Sequence, residues 1–309
     1  MEWQSWITSS LGFMLSYGTP LLLATLGEIY AERSGVLNLG VEGMMIMGAL
    51  TAFVTAYLTR SPWVGLAVAA AVGCGFSLIH AFASVTLRAN QVVSGLSLTL
   101  LGLGLSGVLG RPWGGRPLPE TLPDVAIPGL SRIPFLGPVL FEGHSLLVYV
   151  SILLVPIMWF ILFRTRVGIA IRAVGEDPAT ADSLGVSVAK VRYACVAIGG
   201  LLAGVAGGYL SVAYRPAWTE GMTGGMGWIV IALTIFAFWN PLIGILGAYL
   251  FAILYHLSFR LQPWVSPELL QGLPYLFAIV VLMFVSRGTL QRKMGAPAAL
   301  SIPYTRGED

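Results

Sequence analysis

The sequence contains little charge and few side chains that bind metals. Only 10% of its 309 residues are Asp, Glu, Lys or Arg, whereas 56% are hydrophobic. A soluble domain usually carries about a quarter charged residues, so the chain is not an ordinary soluble protein. Cys74 and Cys195 both lie in apolar runs, which argues against a disulfide framework. His80 and His256 have no second ligand at helical spacing, so we predict no metal site and no catalytic residue.

Long apolar stretches dominate the sequence. A helix of about 20 apolar residues crosses the roughly 30 Å hydrocarbon core of a bilayer. We therefore predict an all-α polytopic membrane protein, a single domain over 1–309 with about nine transmembrane helices (8 to 10). Two of the spans are short enough to be broken or re-entrant. The predicted limits are 11–30, 36–58, 62–86, 91–110, 145–163, 193–213, 225–239, 242–258 and 271–286.

The longest interruption is the segment 111–143, which is rich in proline and glycine. These residues break regular elements, so we predict an extramembrane loop. At the N-terminus, the first ten residues contain no Lys or Arg and no evident cleavage site. We therefore expect the first span to be retained.

Basic residues predict the orientation, because Lys and Arg collect in the short loops on the cytoplasmic side of a membrane. If the N-terminus is outside, eleven of the seventeen basic residues are cytoplasmic. They are Arg33, Arg88, Arg164, Arg166, Arg172, Lys190, Arg192, Arg287, Arg292, Lys293 and Arg306. This orientation makes 111–143 extracytoplasmic and places 164–192 and the C-terminus in the cytoplasm. The net charge of +3 is thereby accounted for, and we predict no nucleic-acid partner.

One long charged interval, RAVGEDPATADSLGV from Arg172 to Val186, has the local signals of a short helix. Asp177 is a good N-cap, Pro178 suits the first helical position and Gly185 suits a left-handed C-terminal cap. These signals predict a helix over 178–184. A helix this short is marginal in water. It is either a capped loop on its own membrane domain or a helix presented to a groove of a soluble partner.

The interval resembles the coupling loop of ABC importer permeases, in the branch that serves simple sugars, nucleosides and branched-chain amino acids. That loop reads approximately R-A-V-G-E-N-P-x-A-A-x-x-x-G-[IV], with Asp177 here in place of Asn. The resemblance implies that 164–192 is a cytoplasmic coupling loop. The implied ATPase-coupling residues are Arg172, Gly175, Glu176, Asp177, Pro178, Ala181 and Gly185.

Three further blocks extend the resemblance over most of the chain. The segment 19–49 is similar to the N-terminal signature of nucleoside and simple-sugar permeases, and segments beginning near Gly225 and at Asn90 are similar to later ones. The signature residues are Glu28, Glu32, Arg33, Gly35, Gly40, Glu42 and Gly43. Since glycine permits an interrupted helix, and such backbone must be buried or line a cavity, we interpret them as a structural motif. In that interpretation Glu32, Arg33 and Glu42 pair at the cytoplasmic interface.

The resemblance also implies partners. Neither Lys190 nor Lys293 belongs to a G-x-x-x-x-G-K-[ST] phosphate loop, so ATP and Mg²⁺ would be bound by a separate ABC ATPase subunit and no cofactor by this chain. A second, homologous permease is expected, with a homodimer as the alternative. A solute-binding protein would deliver the cargo from outside. The signature favours nucleosides, and ribose or another simple sugar is the alternative.

Polar residues near the spans suggest a permeation pathway. The candidates are Asn38, Asn90, Gln91 and Trp228. Asn90 and Gln91 equally suit a cap at the start of the fourth span, and Trp228 suits an interfacial aromatic position.

Two interpretations that place the chain in another functional class remain: an intramembrane serine protease and a secondary transporter. Gly104–Gly107 fits the G-x-S-G pattern of intramembrane serine proteases, which requires a histidine next to Ser106. A secondary transporter would carry acidic residues at the bilayer midplane, whereas the acidic residues here lie mainly near span ends.

Overall fold

A computed structural model describes residues 2–129, 131, 136–266 and 295–306, together with scattered positions between 269 and 283. Helices form nearly all of the regular structure. They are α1 (Glu2–Arg33), α2 (Val41–Thr59), α3 (Pro62–Ala81), α4 (Gln91–Gly110), α5 (Leu136–Leu140), α6 (Leu146–Arg164), α7 (Arg166–Glu176), α8 (Pro178–Ser183), α9 (Val188–Tyr209), α10 (Met226–Phe236) and α11 (Pro241–Leu261). One turn of π-helix extends α3 to Thr86 and another extends α9 to Tyr214.

Seven helices of the described chain are long and apolar enough to cross a membrane: α1, α2, α3, α4, α6, α9 and α11. This confirms an all-α polytopic membrane protein. The helix α10, in the predicted 225–239 span, has eleven residues. At 1.5 Å per residue it covers only about 16 Å, so it is a half-helix. The predicted span 271–286 lies outside the fully described ranges.

The predicted span 36–58 begins too early. Gly35 has φ of 88° and ends α1, and the chain stays irregular until α2 starts at Val41. Hydropathy misses this break because Val36, Leu37 and Leu39 are apolar although they are not helical.

The centre of the bundle is α9, which packs against α1, α2 and α3. Glycines allow the backbones to approach closely, as small residues do at membrane helix interfaces. A Cβ at Gly73 of α3 would collide with the carbonyl oxygen of Gly200 on α9, and one at Gly207 would collide with that of Met45 on α2.

The described part of the 111–143 segment is mostly irregular, but it includes α5 and a strand, β1 (Asp124–Val125), that pairs antiparallel with β2 (His144–Ser145). It folds back onto the end of α9, where the Leu118 N–H donates to the Pro216 carbonyl at 3.0 Å. The expectation of a segment without regular elements is therefore corrected, because β2 supplies β1 with a backbone partner.

Two glycines of α3 provide a matched test of this packing. We expect Gly73→Ala to lower the free energy of unfolding by about 1–3 kcal/mol, because the added methyl group overpacks the contact with α9. Gly75→Ala meets nothing within 4 Å, so it should be neutral or stabilise by up to about 1 kcal/mol. Thermal unfolding midpoints in detergent measure both changes. Equal midpoints would contradict the close α3–α9 contact.

Candidate functional site

The break between α1 and α2 is held by side chains from α1 itself and from two other helices, α3 and α4. The Leu37 N–H donates to Oε1 of Gln91 at 2.7 Å, and the Leu37 carbonyl lies 3.0 Å from Nε2 of His80. The Asn38 N–H donates to Glu28 at 3.2 Å. Unpaired backbone groups are costly in an apolar interior. These side chains therefore stabilise the irregular segment where it is buried in the protein.

Two further groups of the break are paired as well. The Thr99 hydroxyl of α4 donates to the Leu39 carbonyl at 2.8 Å, and the Gly40 N–H donates to the Asn38 side chain at 3.0 Å. Asn38 is fully buried, and its side-chain amide also lies 3.4 Å from Glu28. The predicted pathway residues Asn38 and Gln91 thus lie together, and both bond the backbone of the break.

The half-helix α10 is capped by a buried carboxylate of α2. Glu42 accepts hydrogen bonds from the Thr223 hydroxyl at 2.6 Å, the Gly225 N–H at 3.0 Å and the Gly227 N–H at 2.6 Å. The first N–H groups of a helix have no intrahelical partners and carry a partial positive charge. A carboxylate satisfies both requirements, so Glu42 fixes the start of α10.

The other end of α10 is held by the end of α1. Arg33 donates to the Phe238 carbonyl at 3.0 Å and to the Trp239 carbonyl at 3.1 Å. The Trp239 indole N–H donates to the buried Glu32 carboxylate. Phe238 and Trp239 follow α10, which ends at Phe236, so Glu32 and Arg33 hold the turn after the helix, where a cation also complements the negative helix end.

These contacts correct the expectation that Glu32, Arg33 and Glu42 pair with one another. Each bonds a group in the 223–239 segment instead. The physical reason is the break at 36–40, which places Glu42 on a separate helix from Glu32 and Arg33.

The short helix α8 forms with the predicted caps. Asp177 accepts from the N–H groups of Ala179 and Thr180 at 3.1 and 3.0 Å, and Gly185 has φ of 84°. The Thr180 hydroxyl and these N–H groups lower the pKa of Asp177. A lowered pKa in the folded state means that the cap stabilises α8 above the usual Asp range and is lost only as the pH falls through the lowered value.

The inner face of α8 is tied to the rest of the protein by residues 295–306, which we call the C-terminal strap. The Ala299 N–H donates to the Gly175 carbonyl at 2.9 Å. Asp182 of α8 pairs with Arg306 at 2.9 Å and accepts from the Tyr304 hydroxyl at 3.1 Å. The strap therefore joins α7 and α8, and sequence reasoning missed it because the C-terminal tail has no recognisable pattern.

Two contacts connect α7 and the strap to the signature segment. Gly175 lies against the Arg33 carbonyl so closely that a Cβ there would collide with it. Arg192, which is buried in α9, donates to the Ser34 carbonyl and the Ile302 carbonyl at 3.2 Å each. The helix α7, the C-terminal strap and the α1 end are thus one packed unit.

The outer tip of α8 is exposed. Leu184 is 78% exposed, and its neighbours Ser183 and Gly185 are exposed as well. An exposed leucine beside a capped helix end is a candidate anchor for a partner. The sequence signal was present, since Leu184 is an apolar residue in an otherwise polar turn.

The two other predicted pathway residues lie elsewhere. Asn90 is exposed and caps α4, where its side chain accepts from the Val93 N–H at 3.1 Å. Trp228 lies on α10 and is 38% exposed. The four candidates therefore do not line one site.

A cavity of about 450 Å³ lies at the other end of the bundle from α8. Its walls come from α1, the 210–229 segment and the end of α11, and sequence reasoning missed it because these segments are far apart in the chain. They include Tyr17, Tyr214, Arg215, Glu220, Tyr255 and Gln262.

The serine protease reading has no geometric support. The Ser106 hydroxyl donates to the Leu103 carbonyl at 3.0 Å, one turn earlier in the same helix. His80 contacts Ser94 and the Leu37 carbonyl instead.

The chain matches the family described as "Branched-chain amino acid transport system / permease component" over residues 10–286. It belongs to this family and is a permease subunit of an ABC importer. It is 40% identical to a putative glucose ABC transporter permease protein of Haloferax volcanii, over 99% of this chain and 100% of that protein. It is 37% identical to a guanosine ABC transporter permease protein of Bacillus subtilis, over 95% of each chain.

It is also 33% identical to a nucleoside ABC transporter permease protein of Lactococcus lactis subsp. cremoris, over 96% of each chain. A second guanosine ABC transporter permease protein of Bacillus subtilis is 25% identical over 70% of this chain. No solved structure matches the chain.

The cap on α10 can be tested by removing the charge of Glu42. Glu42→Gln keeps the size of the side chain but turns an NH₂ donor towards N–H groups. Because hydrogen bonds to a charged group contribute about 1.5–3 kcal/mol each, we expect the variant to lose about 2 kcal/mol or more in thermal unfolding. Glu120→Gln, at an exposed position of the 111–143 segment, is the matched control. Equal midpoints for the two variants would rule out the capping role.

Proposed function

We propose that this permease subunit imports nucleosides, driven by ATP that a separate ATPase subunit hydrolyses. The observation that carries the proposal is the helix α8, which is capped at both ends, exposes Leu184 at its tip and is tied by its inner face to the α1 end. Two of the named relatives support nucleosides as cargo. A simple sugar is the second candidate, because the relative from Haloferax volcanii is a putative glucose permease.

In the proposed mechanism the ATPase subunit binds α8 and displaces it. A partner shifts a conformational equilibrium only when it binds the two states differently, so α8 must change position between them. Gly175 transmits the displacement to Arg33, because it lies in direct contact with the Arg33 carbonyl, and the C-terminal strap is bonded to Gly175. Arg33 holds the turn that follows α10. The opposite end of α10, its start, lines the cavity.

The proposed partners follow from this division of labour. ATP and Mg²⁺ bind to the ATPase, and this chain binds neither directly. A second, homologous permease completes the membrane channel, since the chain resembles two different guanosine permeases of Bacillus subtilis. A homodimer is the alternative. An extracytoplasmic solute-binding protein delivers the cargo, with the 111–143 segment as its landing surface.

We further propose that the whole chain, 1–309, is one permease domain in the cell membrane, with its N-terminus outside and its C-terminus and 164–192 in the cytoplasm. The distribution of basic residues supports this orientation. Thiol labelling of intact cells tests it. A membrane-impermeant maleimide should label a Thr121→Cys variant and leave a Ser183→Cys variant unlabelled, and the reverse pattern would overturn the orientation.

Cargo can be assigned by uptake in a transport-null strain given this permease and its neighbouring transport subunits. We expect ATP-dependent uptake of labelled guanosine and adenosine that excess ribose or glucose does not displace. Uptake of labelled ribose or glucose, with none of nucleosides, would move the assignment to sugars. Uptake that persists when the ATPase subunit is inactivated would contradict the proposed energy source.

The coupling role of Leu184 can be tested in the same assay. Truncating a buried interface anchor typically costs about 2 kcal/mol of binding energy, or roughly thirtyfold in affinity. We therefore expect Leu184→Ala to reduce ATP-driven uptake severalfold while the amount of protein in the membrane is unchanged. Leu58→Ala, at a leucine that is 67% exposed at the other end of the bundle, is the control. Equal uptake by the Leu184→Ala and Leu58→Ala variants would contradict the proposed coupling role of Leu184.

A further inference from the structure

The cavity lies at the end of the bundle away from the coupling loop. Tyr17 on its wall and Arg33 at the α7 contact belong to the same helix, sixteen residues apart. At 1.5 Å per residue they are about 24 Å apart along the axis. The cavity volume of about 450 Å³ falls within the roughly 300–1,000 Å³ typical of small-molecule sites.

One wall of the cavity is aromatic and ordered. The rings of Tyr17 and Tyr255 are stacked, with centroids 4.3 Å apart and planes 7° apart. Tyr214 meets Tyr17 edge-on at 5.8 Å. Aromatic groups that already pack on each other lose little conformational freedom when a ligand binds, so this wall is preorganised.

The remaining lining supplies hydrogen-bonding groups of both kinds. Thr219, Ser258 and Gln262 contribute hydroxyl and amide groups. Arg215 and Glu220 contribute one positive and one negative charge. Since these charges balance, the cavity offers no net attraction to a phosphate or a carboxylate. It suits an uncharged solute, whose hydroxyl groups need both donors and acceptors.

The floor of the cavity is the start of the half-helix α10. Thr223, Gly224 and Met226 line it. The Thr223 hydroxyl is bonded to Glu42, so the floor is fixed by the same carboxylate that caps α10. A solute in the cavity would therefore contact the element whose other end is held beside the coupling loop.

Two other hollows in the described part of the chain have a different chemistry. The groove that includes Asn90 has a volume of about 390 Å³, and its surface is mainly apolar although His80, Ser94 and Ser97 also line it. The second of these cavities, between α6 and α9, is almost wholly apolar, with Lys190 as its charged residue. In the groove the His80 and Ser94 side chains bond each other at 3.0 Å and Asn90 caps α4. These two sites therefore offer fewer donors and acceptors to a hydroxyl-rich solute than the cavity beside Tyr17 does.

We infer that the cavity walled by Tyr17, Tyr214, Tyr255 and Gln262 is a binding site for an uncharged, ring-bearing solute with several hydroxyl groups. A monosaccharide and the ribose half of a nucleoside share this chemistry. The inference rests on the proposed function, since it assigns the place where the cargo contacts the permease. It replaces Asn38, Asn90, Gln91 and Trp228 as the solute-contacting groups.

Protection of an introduced thiol tests the site without ATP or partner subunits. The full-length Gln262→Cys variant, in lipid nanodiscs, is treated with a water-soluble maleimide in the presence of guanosine, ribose, glucose or guanosine monophosphate. Thr219→Cys, on the loop wall, is a second cavity position. Thr121→Cys, exposed on the 111–143 segment, is the control, and the wild-type chain with Cys74 and Cys195 sets the background.

We expect an uncharged solute at about ten times its Kd to slow modification of both cavity positions roughly tenfold, with no effect at the control. Protection by guanosine but not by ribose or glucose identifies a nucleoside site, and protection by a free sugar identifies a sugar site. The inference is overturned if no solute protects either cavity position, or if guanosine monophosphate protects as well as guanosine. Because the assay needs no transport, either result leaves the proposed import to be decided by uptake.

Discussion

The contact on which the rest of the structure depends is the one between the Glu42 carboxylate and the start of α10. An eleven-residue helix is too short to cross a bilayer, so its free N–H groups lie where water cannot satisfy them. Glu42 accepts from two of them and from Thr223. A buried carboxylate is costly unless it is fully bonded, and here the carboxylate and the helix end satisfy each other.

The signature residues Glu32, Arg33 and Glu42 together hold both ends of the half-helix α10, and this explains how they are spaced along the chain. Glu32 and Arg33 close α1 and bond Trp239, whereas Glu42 opens α2 and bonds Gly227. The break at 36–40 separates the two sets of contacts and is itself bonded by side chains of α1, α3 and α4. A displacement of the α1 end would therefore move α10 as a unit, because neither end of α10 is free to slip.

Contacts at the cytoplasmic end, in the proposed orientation, extend this unit to the surface. Gly175 abuts the Arg33 carbonyl, and Arg192 joins the α1 end to the C-terminal strap. The ion pair between Asp182 and Arg306 adds little by itself, since Arg306 is 84% exposed and surface pairs contribute about 0–1 kcal/mol. The strap is held more firmly by the hydrogen bond from the Ala299 N–H to the Gly175 carbonyl. It is also held by the packing of Tyr304 against the buried side chains of Val174, Ala181 and Val188.

The sequence was sufficient where the signals were local. The caps of α8 depend on Asp177 and Gly185, which are close in the chain, and the predicted limits of α4 and α6 agree with the structure to within a residue. It was insufficient where bonding partners are distant. Leu37 and Leu39 look like membrane-helix residues, and their irregular backbone is stabilised by the distant side chains of His80, Gln91 and Thr99. The cavity was invisible for the same reason, because Tyr17 and Tyr255 meet only after folding.

Amide hydrogen exchange across 226–236 tests most directly whether the signature motif holds the half-helix. In lipid nanodiscs we predict that these amides exchange as slowly as those of α9 in the wild-type chain. We further predict that Glu42→Gln accelerates exchange across 226–236 while α9 stays protected. Exchange that is already fast in the wild-type chain, or that is unchanged by Glu42→Gln, would contradict the claim that this carboxylate fixes α10.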